Sequence, residues 1–109
     1  MPANDLITRV RRALARRRGV KEQRMFGGVA FMVNGKMCVT VRNTRLMCRI
    51  DPAIHDDVLP RKGARTMVMG GRRYQGYVHI EAPGTRTARE LGYWMKLALD
   101  YNKRAKASR

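Results

Sequence analysis

The 109-residue chain has little acid, little cysteine and few aromatic rings. Two cysteines cannot make a disulfide framework, so the expected setting is reducing and cytoplasmic. No stretch approaches the run of about 18 apolar residues that a membrane-spanning helix needs. The opening MPANDLITRV has no apolar segment that would serve as a signal peptide. There is no Ser-His-Asp arrangement, no Cys-x-x-Cys, no phosphate-binding glycine loop and no pair of carboxylates on facing elements. The expectation is a protein that is not an enzyme and carries no cofactor and no metal. Eight acidic residues against twenty-four basic ones leave a formal charge of +16. A field of that sign attracts nucleic acid, anionic membrane or acidic proteins.

What the chain does have is a patterned stretch over residues 24–51, RMFGGVAFMVNGKMCVTVRNTRLMCRID. It reads as three antiparallel strands, residues 29–33, 36–42 and 45–51. Asn34-Gly35 tolerates positive φ at both central positions, which suits a type I′ hairpin. Asn43-Thr44 makes the next turn. Two-residue loops set Val33 against Lys36, Met32 against Met37 and Ala30 against Val39. They also set Val41 against Leu46 and Val39 against Cys48. Alternation then places Ala30, Met32, Met37, Val39, Val41, Leu46, Cys48 and Ile50 on one apolar face, expected to be the core. The reverse face collects Val29, Phe31, Cys38, Thr40 and Met47, with Arg42, Arg45 and Arg49 at its rim. Another element or a second copy of the chain would have to cover its centre. Cys38 and Cys48 fall on opposite faces, which excludes a bond between them.

The run RMFGGVAFMVNGKM, followed by a strand ending in Asp51-Pro52 and later by MVMGGR and GYVHI, resembles the TfoX N-terminal domain family. That family is named after bacterial regulators of natural competence, also called Sxy. The resemblance covers about residues 6–101. It implies an α+β fold in the order α-β3-α-β2-α, an antiparallel sheet of about five strands with helices packed on it. One domain would occupy residues 1–103 and a basic, frayed tail residues 104–109. In the named regulators a helical second domain follows, and this chain stops where it would begin. The resemblance therefore implies a regulatory or protein-contact module and does not bring the competence role with it.

The remaining segments fit that outline. Leu6, Ile7, Val10, Ala13 and Leu14 make an apolar stripe on a helix over residues 4–18, with Asn4 as its cap. Residues 21–26 read as an extended lead-in, with Met25 and Phe26 as core, and Gly27-Gly28 as a break before the strand. Asp51-Pro52 opens a short helix that Pro60 ends. His55, Asp56 and Asp57 follow one another, so on a helix they diverge and cannot share an ion. Residues 64–69 and 76–82 read as strands around a Gly70-Gly71-Arg72-Arg73 tip. Val78 and Ile80 should face the core, with Tyr77 and His79 on the other side. Thr87 and Glu90 form a capping box for a last helix carrying Leu91, Trp94, Met95, Leu97, Ala98 and Tyr101.

Two functional readings follow. In the first, the chain is a non-enzymatic regulatory or protein-interaction domain, and Phe31, Cys38, Met47, Trp94 and Tyr101 meet a partner protein or a second copy in a homodimer. In the alternative it is a basic nucleic-acid-binding domain touching the phosphate backbone without strong sequence specificity. Arg9, Arg12 and Arg16 would then form a ridge on the first helix, and Arg72 and Arg73 would add to it from the tip. The same five arginines read equally as solvated helix and loop charges. Cys38 reads as an exposed thiol beside Arg49, open to oxidation, or as a small apolar filler.

Overall fold

Asn34 and Gly35 take left-handed backbone angles, φ 54° and 78°, and Asn43 takes φ 55°. These are the conformations that a tight reversal between twisted strands demands, and Asn and Gly adopt them at least cost. Three strands result: β2 (Gly28–Val33), β3 (Lys36–Arg42) and β4 (Arg45–Arg49). The computed structural model describes residues 5–25 and 27–105. The expectations for Asn4 and Phe26 lie outside the described residues.

Six strands form one antiparallel sheet. β1 (Val20–Met25), β5 (Ala64–Met69) and β6 (Arg72–Ile80) complete it, in the order β1-β2-β3-β4-β6-β5. The fold is α+β, as expected, but with one strand more than expected. The lead-in over residues 21–26 is the edge strand β1, paired with β2 from Val20↔Val33 to Met25↔Gly28. Its sequence, VKEQRM, shows no apolar alternation because most of its side chains are exposed. Its main chain pairs throughout, while Val20 at its start is the side chain that packs on the core. Gly28 lies against the Val41 carbonyl, where any Cβ would collide.

Helix α1 (Asp5–Ala13) ends earlier than the sequence suggests and continues as turns. Helix α3 (Ala88–Asn102) starts at the expected Thr87–Glu90 capping box, with both reciprocal bonds formed. A 3-10 turn (Pro52–Ile54), capped by Asp51, leads into the short helix α2 (His55–Val58). Leu6 and Val10 of α1, Leu14 in the turn after it, and Leu91, Trp94, Met95 and Ala98 of α3 join one apolar core with the sheet. Arg9 ties α1 to the turn before α3 by donating to the Thr85 carbonyl at 2.7 Å. Arg11 of α1 meets Glu22 of β1 at 2.6 Å.

The sheet register corrects the expected faces. Val33↔Lys36, Met32↔Met37, Val41↔Leu46 and Val39↔Cys48 pair as the turns dictate. Ala30, however, lies opposite Thr40, and Phe31 lies opposite Val39. One extra residue of β3, Cys38, sits between those pairings, a bulge that inverts the parity of β2 relative to β3. Cross-strand partners share a face. One row across the sheet therefore reads Glu22, Phe31, Val39, Cys48, Val78, Thr66, and another reads Arg24, Val29, Val41, Leu46, Ile80, Ala64. The helices cover this side, and Phe31, Val39, Val41, Leu46, Cys48, Val78 and Ile80 are all fully buried there. Ala30, Met32 and Met37, expected in the core, belong to the other side.

Arg104 pairs with Asp51 at 3.1 Å and Ala105 is buried, so both dock on the domain. Residues 106–109 lie outside the described part.

Candidate interaction surface

With α1 and α3 on one side, no helix of the described residues lies over the reverse side of the sheet. A single row crosses all six strands there: Gln23, Ala30, Thr40, Met47, His79 and Arg65. Ala30 and Met47 are buried among their neighbours, while Thr40 and His79 are half-buried. Met32 and Met37 face each other beside this row, also half-buried. Arg42 and Arg45 form a cross-strand pair at one end. Lys21 and Arg65 are exposed at the two edges of the sheet. The surface thus has an apolar, methionine-rich centre and a cationic rim.

Its electrostatics follow from composition. Six ion pairs occur among the described residues, each taking up one carboxylate: Glu22, Asp51, Asp56, Glu81, Glu90 and Asp100. Against twenty-four basic residues this neutralises little of the field. On the helix-free side the one such carboxylate near the row is Glu81, held by Arg65 at 2.7 Å. His79 reports the result. Burial, then Arg45 and Arg65, push its pKa down to about 4 against a weaker opposing effect of Glu81. It is therefore uncharged at neutral pH.

The expected contact residues are dispersed. Phe31, Cys38 and Trp94 lie inside the core and offer no surface to a partner. Met47 lies on the helix-free side but is almost wholly covered. Tyr101 is half-buried beneath two guanidinium groups, Arg49 at 5.9 Å and Arg104 at 5.3 Å from its ring centre. Cys38 is not an exposed thiol. Burial raises its pKa to about 11, with Arg17 opposing, and the thiol stays protonated. The Cys48 thiol is likewise raised, by burial first and then by Cys38. The bulge thus puts both cysteines on the helix side, where both are free thiols.

The five arginines expected to track phosphate do not form one ridge. Arg9 is a tether between helices. Arg12 and Arg16 are exposed near the β1 edge, and Arg72 and Arg73 lie on the β5–β6 hairpin at the opposite edge. Six strands about 4.8 Å apart separate those edges by about 24 Å.

His55 is a residue whose role the sequence conceals. It is fully buried, accepts a bond from the Gly76 N–H on Nδ1 at 2.8 Å, and lies 2.8 Å from the Thr66 hydroxyl through Nε2. The backbone donor fixes the neutral tautomer with the proton on Nε2. Burial lowers its pKa. Followed in sequence by two aspartates, it looks like part of a polar surface cluster, yet Asp56 and Asp57 are exposed and it alone turns inward. A cleft of about 260 Å³ lies between Arg61, Lys62, Gly84, Glu90 and Trp94. Its acid and its lysine already engage each other at 3.4 Å.

The model of the TfoX N-terminal domain family matches residues 12–101, most of the chain. The chain belongs to the TfoX N-terminal domain family. No curated protein and no solved structure gives a match. In this TfoX N-terminal domain, no helix among the described residues is long and apolar enough to cross a membrane. The described residues also contain no cluster of three metal-ligating side chains.

Proposed function

We propose that this TfoX N-terminal domain is a non-enzymatic regulatory module that holds a partner protein, through an acidic segment, on the helix-free face of its sheet. The observation that carries the reading is the six-strand row from Gln23 to Arg65, left without a helical layer and rimmed by cations. Sheets in α+β domains bury one face against helices, and a second face kept this apolar at its centre suits contact. Methionine side chains adapt to partners of varied shape. Lys21, Arg42, Arg45 and Arg65 supply attraction for carboxylates and raise the rate of encounter.

Two competing occupants fit less well. Single-stranded nucleic acid is held by several aromatic platforms, and His79 is the one ring in the row. A second copy would bring two cationic faces together, which repel. The non-enzymatic part of the reading is supported by the state of the reactive groups. Both thiols are protonated and buried, and His55 is locked as a structural acceptor.

The test is a comparison of bound proteins. Wild-type protein and Thr40→Glu are immobilised, exposed to nuclease-treated lysate and compared by quantitative mass spectrometry. A protein retained by wild type and lost from Thr40→Glu is the expected result. Identical profiles, or no retained protein, overturn the reading.

A further inference from the structure

The β5–β6 hairpin extends beyond the rest of the sheet. β4 pairs with β6 only from Arg49↔Tyr77 to Leu46↔Ile80. Past that point the hairpin pairs only with itself, through Met67↔Tyr74, Val68↔Arg73 and Met69↔Arg72. Three such pairs make a two-stranded arm of about 10 Å. The ladder is interrupted at its root, where β6 has Gln75, Gly76 and Tyr77 in excess of β5. Interruptions of this kind bend the strands. The root is nevertheless fixed. Gly76 donates to His55 and accepts from the Ile50 N–H at 2.8 Å, and Gln75 donates to the Pro52 carbonyl at 3.2 Å.

The tip is chemically unlike the rest of the surface. Val68 and Met69 are 57% and 58% exposed, the exposed large apolar side chains of the described residues. Arg72 and Arg73 are exposed directly across from them. Adjacent pairs in a ladder point to opposite sides, so each side of the arm carries one apolar group and one guanidinium. Neither burial nor pairing accounts for the apolar pair. Arg73 approaches Asp56 at 3.4 Å, but both are exposed, and such a pair yields readily to a competing anion.

We infer that this arm enters the groove of a double-stranded nucleic acid. A two-stranded ribbon fits the major groove, which is about 12 Å wide. Matching chemistry on both sides of the arm suits a site with two walls better than a flat surface such as a bilayer. Guanidinium forks bind phosphates or the guanine edge, while Val68 and Met69 can contact thymine methyl groups or wedge against a base step. The charge of +16 supplies the long-range attraction.

Fluorescence anisotropy with a short labelled duplex, repeated over a range of salt, tests this. Wild-type protein should bind. Arg72→Ala/Arg73→Ala should weaken binding about tenfold and lower the log-log salt slope by about two. Val68→Ser/Met69→Ser should weaken it several-fold with the slope unchanged. Arg86→Ala/Arg89→Ala removes the same charge from exposed positions near the start of α3 and should change affinity much less. All six positions are exposed, so unchanged melting temperatures serve as the folding control. The inference is overturned by an absence of duplex binding at about 50 mM salt, or by equal losses in the two arginine double variants. It is also overturned if polyglutamate or phosphatidylglycerol vesicles bind as tightly as the duplex with the same dependence on the arm.

Discussion

The two sides of the sheet are built from neighbouring residues of the same strands, yet they differ in almost everything that matters for function. Toward the helices, Phe31, Val39, Cys48 and Val78 lie in one fully buried row. One residue away on each strand, Ala30, Thr40, Met47 and His79 make a row that no helix of the described residues covers. The first row holds the domain together and is closed to partners. The second is the side proposed to meet a partner, with Thr40 and His79 half-buried on it. The difference comes from one inserted residue, Cys38, which sets which side chains of β2 fall on each side.

The sharpest way to break this comparison is a pair of adjacent charges. Val39→Asp buries an unpaired carboxylate and should cost on the order of 5 kcal/mol, enough to unfold a domain of this size. Thr40→Asp, next to it on the open side, should stay within about 1 kcal/mol of wild type. Urea titration of both variants checks the contrast. Equal losses would mean that both sides are buried.

His55→Ala comes next. It leaves the Gly76 N–H without its acceptor inside the core and opens a cavity, a loss of about 3 kcal/mol. Hydrogen exchange at the Gly76 amide should rise with it. Because His55 anchors the root of the arm, the same variant should loosen residues 67–74 before the rest of the sheet.

The turns at Asn34-Gly35 and Asn43-Thr44 were legible in the sequence because few residues adopt left-handed backbone angles cheaply. The capping box at Thr87 and the inward Val78 and Ile80 were legible for equally local reasons. The bulge was not. β2 reads Gly-Val-Ala-Phe-Met-Val, apolar at both parities, so alternation alone cannot choose which set faces inward. Lys36 adds to the ambiguity: it lies on the helix side, where its long stem lets the ammonium reach the Asn102 carbonyl at 2.7 Å. The candidate surface was half visible, as a mixed face with a basic rim. Its apolar members were misassigned because Val29, Phe31 and Cys38 changed sides. The arm was seen only as a tip, since its separation from β4 depends on tertiary pairing.

Acid should separate the two sides more gently. An unfolded histidine titrates near about 6.5, and His79 in the fold titrates at about 4. The unfolded chain therefore takes up the proton first. The His79 contribution is complete above the unfolded value and is lost as pH falls from there toward 4. His55 acts in the same direction. Glu22, Asp51, Glu90 and Asp100, all held below their ordinary values, extend the loss to still lower pH. His79→Gln should flatten the upper part of the curve only, as read by melting temperature against pH. The smallest effect is at the helices. Arg9→Ala should cost about 1.5 kcal/mol through the lost bond to Thr85, whereas Arg12→Ala and Arg16→Ala should leave melting unchanged.

Thiol accessibility tests the division between the two sides most directly. An aromatic disulfide reagent added to the folded wild-type protein should find neither Cys38 nor Cys48 until the chain unfolds, whereas the variant Thr40→Cys should release one equivalent at once. Prompt reaction at Cys38 in the native protein would put that residue on the open side and contradict the bulge on which the whole arrangement depends.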